Sequence, residues 1–365
     1  MELSLYQFAV VAEIWSWLGR HWAALAITGT CISLVIFCML VLAKYVRIAL
    51  NIFIDTHPPL AMGPVDFQPL RGEIVRFRSF DGTSLRGMHL RSGVDGAPKG
   101  AIVFCHEFGS DMYSCARYVK PLIDAGFDVF SFDFRGHGDS SRGRNYRPLQ
   151  WPSDKEVEDV LGACAHVESL LSAEGRRPVV GLFGVSRGAG AGLLSAAIDH
   201  NIAALVCDGA FSTAETLVAL MKRWASIFAR VRLVYENHPE GFWRLLVWLL
   251  MCFAQPKLGR RFPSVKKAMR DMQSRPILLI HGQRDSYIRA DHARSLFDQA
   301  PEPKELWIVP DAKHNQSVVT NSQEYARRTV NFFLRHLAGE QGEQSYGEQS
   351  EQIPADQSDQ SSRVA

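Results

Sequence analysis

The chain has 365 residues, 47% hydrophobic and 21% charged, enough to bury one large core or two modest ones. That excludes a disordered or fibrous chain. The net charge of +2 conceals a segregation: residues 212–275 hold 12 Lys and Arg against 4 Asp and Glu, while the segment after Ala338 is acidic. A basic patch without a nucleic-acid-binding motif points to an anionic membrane or substrate rather than to nucleic acid. The seven cysteines have neither paired nor metal-type spacing, so neither disulfides nor a structural metal is expected, and a reducing compartment is favoured.

Residues 1–22 open with an apolar-rich stretch, Leu3–Leu18, interrupted by Gln7 and Glu13, which reads as an interfacial helix. Ala23–Ala43 carries no charged residue and is flanked by Trp15, Trp17, Trp22 and Tyr45. It is long enough to cross a hydrocarbon layer of ~30 Å, with aromatics where the interfaces would lie. A cleaved signal would have a shorter apolar run that starts earlier, so a retained transmembrane anchor is the better reading. Lys44 and Arg47 follow the run and only Arg20 shortly precedes it, which by the positive-inside rule places the remaining chain in the cytoplasm. Residues 44–72, with Pro58, Pro59 and Pro64, read as a tether.

From Glu73 to Ala338 the pattern is α/β. Strands are expected at Glu73–Arg78, Ser84–Leu90, Ala101–Cys105, Asp128–Asp133, Val179–Phe183, Ala203–Cys207, Ile277–Ile280 and Glu305–Val309. The first two flank Asp81-Gly82, a hairpin signal. The others alternate with helical segments, among them Tyr113–Ala125, Asp154–Ser172, Ala290–Gln299 and Glu324–Leu337, as a mostly parallel sheet requires. Residues 339–365 are rich in Gln, Glu and Ser and are expected to be disordered.

The chemistry is concentrated at Gly184-Val185-Ser186-Arg187-Gly188, between an apolar strand and a small-residue helix. This G-x-S-x-G turn needs residues without bulk two positions either side of a serine held in a sharp elbow. Asp285 follows the strand Ile277–Ile280, and His314 lies in the loop after Glu305–Val309. A serine hydroxyl is a weak nucleophile at neutral pH; an imidazole must take its proton and a carboxylate must orient the imidazole. Asp208, at the end of the preceding strand, is the rival acid. His281, Arg135, His137 and Asp311 read as structural turn residues, with Asp133 near the site.

The order Ser186, Asp285, His314 resembles that of the α/β-hydrolase superfamily, and within it the serine-aminopeptidase-like and monoacylglycerol-lipase-like branch. The resemblance runs from about Glu73 to Leu337. It includes Asp133-Phe134-Arg135-Gly136-His137-Gly138-Asp139-Ser140, similar to the family's D-x-R-G-x-G-x-S turn, and His106-Glu107-Phe108-Gly109, similar to its H-G-x-G oxyanion segment. Glu107 departs from that segment's glycine, and a residue with a Cβ resists positive φ. The resemblance implies an eight-stranded, mostly parallel sheet with helices on both faces and a helical cap at about 212–275, here joined to the N-terminal transmembrane helix. It implies the N–H groups of Phe108 and Arg187 as oxyanion donors, and no cofactor. Within the cap, Phe242–Phe253 is too short to span a bilayer. It reads either as a buried helix or as an acyl-binding wall or membrane-dipping lid.

The function expected is a membrane-anchored serine hydrolase cleaving an ester, thioester or amide of a small-molecule or lipid acyl substrate. The alternatives are an aminopeptidase-type peptidase, which the basic cap disfavours, and a binding protein on a hydrolase fold, which a complete triad disfavours.

Overall fold

The computed structural model describes residues 2–55, 68–94, 96–228 and 238–338. Helix α1 (Glu2–Asp55) is one uninterrupted helix of 54 residues. No proline occurs before Pro58, and Gly19 and Gly29 are its only glycines. Each glycine costs about 1 kcal/mol relative to alanine, too little to stop so long an apolar run. An 18-residue window of α1 reaches a mean hydropathy of 2.6 with none of it buried, which by length and composition suits a membrane span or a signal sequence.

Two expectations are corrected here. Residues 2–22 are not set off from 23–43 by any break, and residues 44–55 are helical rather than a tether. Leu42, Val46, Ala49, Leu50 and Phe53 recur at helical spacing and form a stripe packed against the body of the protein. The prolines of the expected tether lie outside the described residues, as does the expected disordered tail 339–365.

The sheet runs in the order β1-β2-β4-β3-β5-β6-β7-β8, from β1 (Glu73–Arg78), β2 (Ser84–Leu90), β3 (Gly100–Cys105), β4 (Phe127–Phe132), β5 (Val180–Val185), β6 (Ile202–Asp208), β7 (Ile277–Gly282) and β8 (Lys304–Val309). Each strand lies within two residues of its expected bounds. β2 alone runs against its neighbours, because the Asp81-Gly82 turn returns the chain beside β1; Gly82 takes φ 85° there. The strands from β3 to β7 are almost wholly buried, as their continuous apolar runs require of a sheet covered on both faces.

Helices α3 (Asp154–Ala173), α4 (Arg187–Ala196), α7 (Val265–Asp271) and α8 (Ala290–Phe297) cover one face. α2 (Lys120–Asp124), α9 (Ser317–Thr320) and α10 (Ser322–His336) cover the other. The expected helix Tyr113–Ala125 is split into a 3₁₀ segment, Met112–Arg117, and α2. Pro121 is the cause, since it disfavours helical geometry in the residue before it and lacks a donor.

Between β6 and β7 come α5 (Thr213–Phe228), α6 (Glu240–Leu258) and α7. α6 buries Trp243, Leu246, Val247, Leu250 and Ala254 against α5 and the end of α1, while Leu245, Trp248 and Phe253 remain exposed. Phe53 is fully buried, stacked on Trp151 with ring centroids 5.5 Å apart. The Trp151 indole N–H donates to the Phe53 carbonyl at 3.0 Å.

Candidate active site

The loops that could carry chemistry leave the C-terminal ends of β3, β5, β6, β7 and β8, the edge where open parallel sheets bind their ligands. β3 is the central strand from which the order departs both ways, and it pairs with β5. The β3 and β5 exits are therefore adjacent.

Ser186 sits between β5 and α4 with φ 51° and ψ −114°, a conformation that L residues rarely adopt. Its surroundings enforce it. A Cβ on Gly188 would stand 2.2 Å from the Cys105 carbonyl oxygen, and one on Gly184 would stand 2.5 Å from the Ala189 Cα. These two glycines permit close backbone approach rather than unusual dihedrals. The Ser186 N–H donates to the Asp208 carbonyl at 2.7 Å, which ties the elbow to the end of β6.

His314 reaches Ser186 across 128 residues of chain and Asp285 across 29. Ser186 Oγ lies 3.0 Å from His314 Nε2, and His314 Nδ1 lies 2.6 Å from Asp285 Oδ2. A carboxylate only accepts, so Nδ1 carries the proton and Nε2 is left to accept from the serine hydroxyl. The other oxygen of Asp285 accepts the N–H groups of Tyr287 at 2.9 Å and Ile288 at 2.8 Å. Burial pushes this carboxyl up, but the hydrogen bond and charge of His314, with His281 and the Ile288 N–H, outweigh it and hold it below the usual carboxylate range.

The rival acid is placed differently. Asp208 accepts the Tyr325 hydroxyl at 3.0 Å and the Ser317 hydroxyl at 3.3 Å, while the His314 Nδ1–H goes to Asp285. Burial raises it to about 7. Its contribution to the elbow is its backbone carbonyl.

The segment after β3 is organised by His106, whose part the sequence did not reveal. The Phe134 N–H donates to His106 Nε2 at 3.2 Å, so Nδ1 must be the protonated nitrogen; it donates to the Glu107 carbonyl at 2.6 Å. Burial and the nearby Arg187 charge pull His106 down to about 3, which keeps it neutral in this tautomer. Fixing the Glu107 carbonyl also fixes the trans peptide that carries the Phe108 N–H, on the opposite side. Glu107 is not among the residues with positive φ; the turn is made at Gly109, with φ 77°. The Glu107 side chain points inward to Arg117 at 3.4 Å.

Arg187 is the first residue of α4, where backbone N–H groups lack helical acceptors. Its fully buried side chain donates to the Leu149 carbonyl at 3.2 Å and stacks on the Phe108 ring, 5.3 Å from the centroid. The Phe108 ring thus lies against the side chain of the residue that follows Ser186.

The remaining turn residues hold the frame. Arg135 spans Asp159, Asp81 and Ser79, at 2.7 to 2.9 Å. Asp133 receives the Met112 N–H at 2.7 Å and the Asp139 N–H at 3.0 Å. His137 Nδ1 meets the Arg135 carbonyl at 3.2 Å. His281 Nε2–H donates to the Ile288 carbonyl at 2.7 Å, and exposed Asp311 pairs with Arg284 at 3.1 Å. Among the described residues no cluster of three or more His, Cys, Asp and Glu is arranged to hold a metal ion.

Fold and site define a hydrolase-type α/β protein. A profile of the alpha/beta hydrolase fold matches residues 100–243. An uncharacterized 31.7 kDa protein from the traX-finO intergenic region of Escherichia coli is 30% identical over 243 residues, 58% of this chain and 82% of that protein. The uncharacterized Escherichia coli protein YfhR is 26% identical over 297 residues, covering 80% of this chain and 89% of its own. Among solved structures, an esterase of Pyrococcus furiosus superposes with a TM-score of 0.55 at 22% identity, over 77% of this chain and all of the esterase. The chain belongs to the α/β-hydrolase superfamily.

Proposed function

We propose that the protein is a membrane-anchored serine hydrolase that cleaves a hydrophobic acyl ester, or the related thioester or amide, through an acyl-enzyme. The observation that carries this reading is the continuous relay from Ser186 Oγ to His314 Nε2 at 3.0 Å and from His314 Nδ1 to Asp285 Oδ2 at 2.6 Å. Ser186 attacks the acyl carbonyl as its proton passes to His314. The negative charge that develops on the carbonyl oxygen is met by the N–H groups of Phe108 and Arg187, held in place before the reaction begins. His314, as imidazolium balanced by Asp285, then returns the proton to the leaving group, and water repeats the sequence on the acyl-enzyme. No cofactor enters this scheme.

The anchor is supported by the uncharged run Ala23–Ala43 within α1, and the acyl preference by the apolar side chains of a cap rich in Lys and Arg. Replacing Ser186 by Ala is expected to abolish covalent labelling by a fluorophosphonate and to lower ester hydrolysis by several orders of magnitude, with folding intact. Labelling that persists in the variant would assign the nucleophile elsewhere.

A further inference from the structure

Helices α5 and α6 form a hairpin packed along the end of α1, and the order of contacts fixes its direction. Leu42 and Val46 share one apolar cluster with Phe242, Trp243, Leu246 and Leu249 of α6 and with Ala225 of α5. Ala49 to Ile54 share the next cluster with Val247 to Leu258 of α6 and with Leu217 and Leu220 of α5. α6 therefore runs parallel to α1 and α5 antiparallel to it. The C-terminal end of α5 and the N-terminal end of α6 lie together, level with the last turn of the apolar run Ala23–Ala43.

Among the described residues, that end of the pair exposes apolar side chains. Ile227 is 66% exposed, Leu245 45% and Trp248 60%. Lys44, Arg47 and Arg244, on the same stretches of α1 and α6, are also exposed. We propose that this tip docks onto the lipid surface of the same membrane that α1 crosses, with Trp248 and Leu245 in the interfacial layer and the basic residues against anionic headgroups. The inference rests on the reading of α1 as an anchor.

Distance supports the lipid surface as the occupant. The headgroup layer is about 5–8 Å deep on each side of the hydrocarbon. Trp243 is level with Leu42 to Val46; Leu245 lies two residues further, about 3 Å along the axis, inside that layer, and Trp248 five residues further, about 7.5 Å along, at its outer edge. Leu245 thus faces the headgroup layer, and the amphipathic Trp248 ring lies at its water side, with an apolar face and a polar edge. Because α1 passes into the bundle without a loop and is locked there by Phe53 and Trp151, the hairpin is held at one height above the bilayer.

The test uses the full chain in phosphatidylcholine–phosphatidylglycerol vesicles, with the exposed thiols Cys31, Cys38 and Cys252 replaced by serine. A fluorophore is attached at a single cysteine introduced by Leu34→Cys, Leu245→Cys or Ile198→Cys, and quenching by nitroxide-labelled lipid is measured. Strong quenching is expected at 34 and 245 and none at 198, an exposed position beyond the end of α4. Quenching at 34 without quenching at 245 overturns the docked tip and leaves the anchor standing. No quenching at either overturns both. Fluorophosphonate labelling of Ser186 in the same vesicles reports on the hydrolase reading separately.

Discussion

Two carboxylates stand at the ends of neighbouring strands, Asp208 after β6 and Asp285 in the turn after β7, and their surroundings set them apart. Asp285 receives two backbone N–H groups and an imidazole, donors that favour the ionised form, so its carboxyl is held down despite burial. Asp208 receives two hydroxyls, which can turn to donate or accept, and burial lifts it to about 7. The donors around the oxygens, rather than the strand that a carboxylate follows, decide which of them serves as a permanent negative charge beside an imidazole.

Three substitutions separate the two carboxylates. The largest effect is expected from Asp285→Asn, which removes the fixed charge and allows the wrong imidazole tautomer. Turnover should fall by about 10⁴-fold, with little change in KM. A loss of less than tenfold, read by steady-state kinetics, would remove Asp285 from the relay.

Asp208→Asn should leave turnover within about tenfold and act mainly on the pH dependence of stability. The folded protein holds the Asp208 proton up to about pH 7, whereas the unfolded chain releases it near 4. Between those values the folded state binds the extra proton. The stability that Asp208 contributes is therefore complete below pH 4 and lost as the pH rises through 7. Denaturant unfolding across that window should show a decline in the parent chain and a flatter profile in the variant. If Asp208→Asn proved more damaging to turnover than Asp285→Asn, the roles of the two acids would be reversed.

The smallest effect is expected from Tyr325→Phe, which removes one hydroxyl donor from the ionised form of Asp208. Asp208 should then titrate higher still, with a stability loss at neutral pH of roughly 1 kcal/mol. An unchanged titration midpoint would mean that burial alone sets the Asp208 proton affinity.

The eight strands were legible because each is a short apolar run bounded by turn residues, and the relay because three residue types recur in one order. The end of α1 was not. Three prolines drew the tether forward to residue 44, and the stripe Leu42, Val46, Leu50, Phe53 finds its partners 100 to 200 residues later, in Trp151 and the cap. His106 escaped because its role depends on two backbone groups, the Phe134 N–H and the Glu107 carbonyl, that no side-chain pattern reports. Glu107, in place of the motif's glycine, puts no strain on the turn, because Gly109 bears the positive φ two positions later.

The backbone of Ser186, at φ 51° and ψ −114°, is held in a conformation that only glycine adopts freely. The fold therefore gives up stability at the proposed nucleophile, on the order of 1–3 kcal/mol for such a conformation. A chain shaped for durability alone would carry glycine at 186. Ser186→Gly should accordingly yield a protein that melts later than its parent and hydrolyses nothing, so that heat resistance and turnover are opposed at a single Cβ.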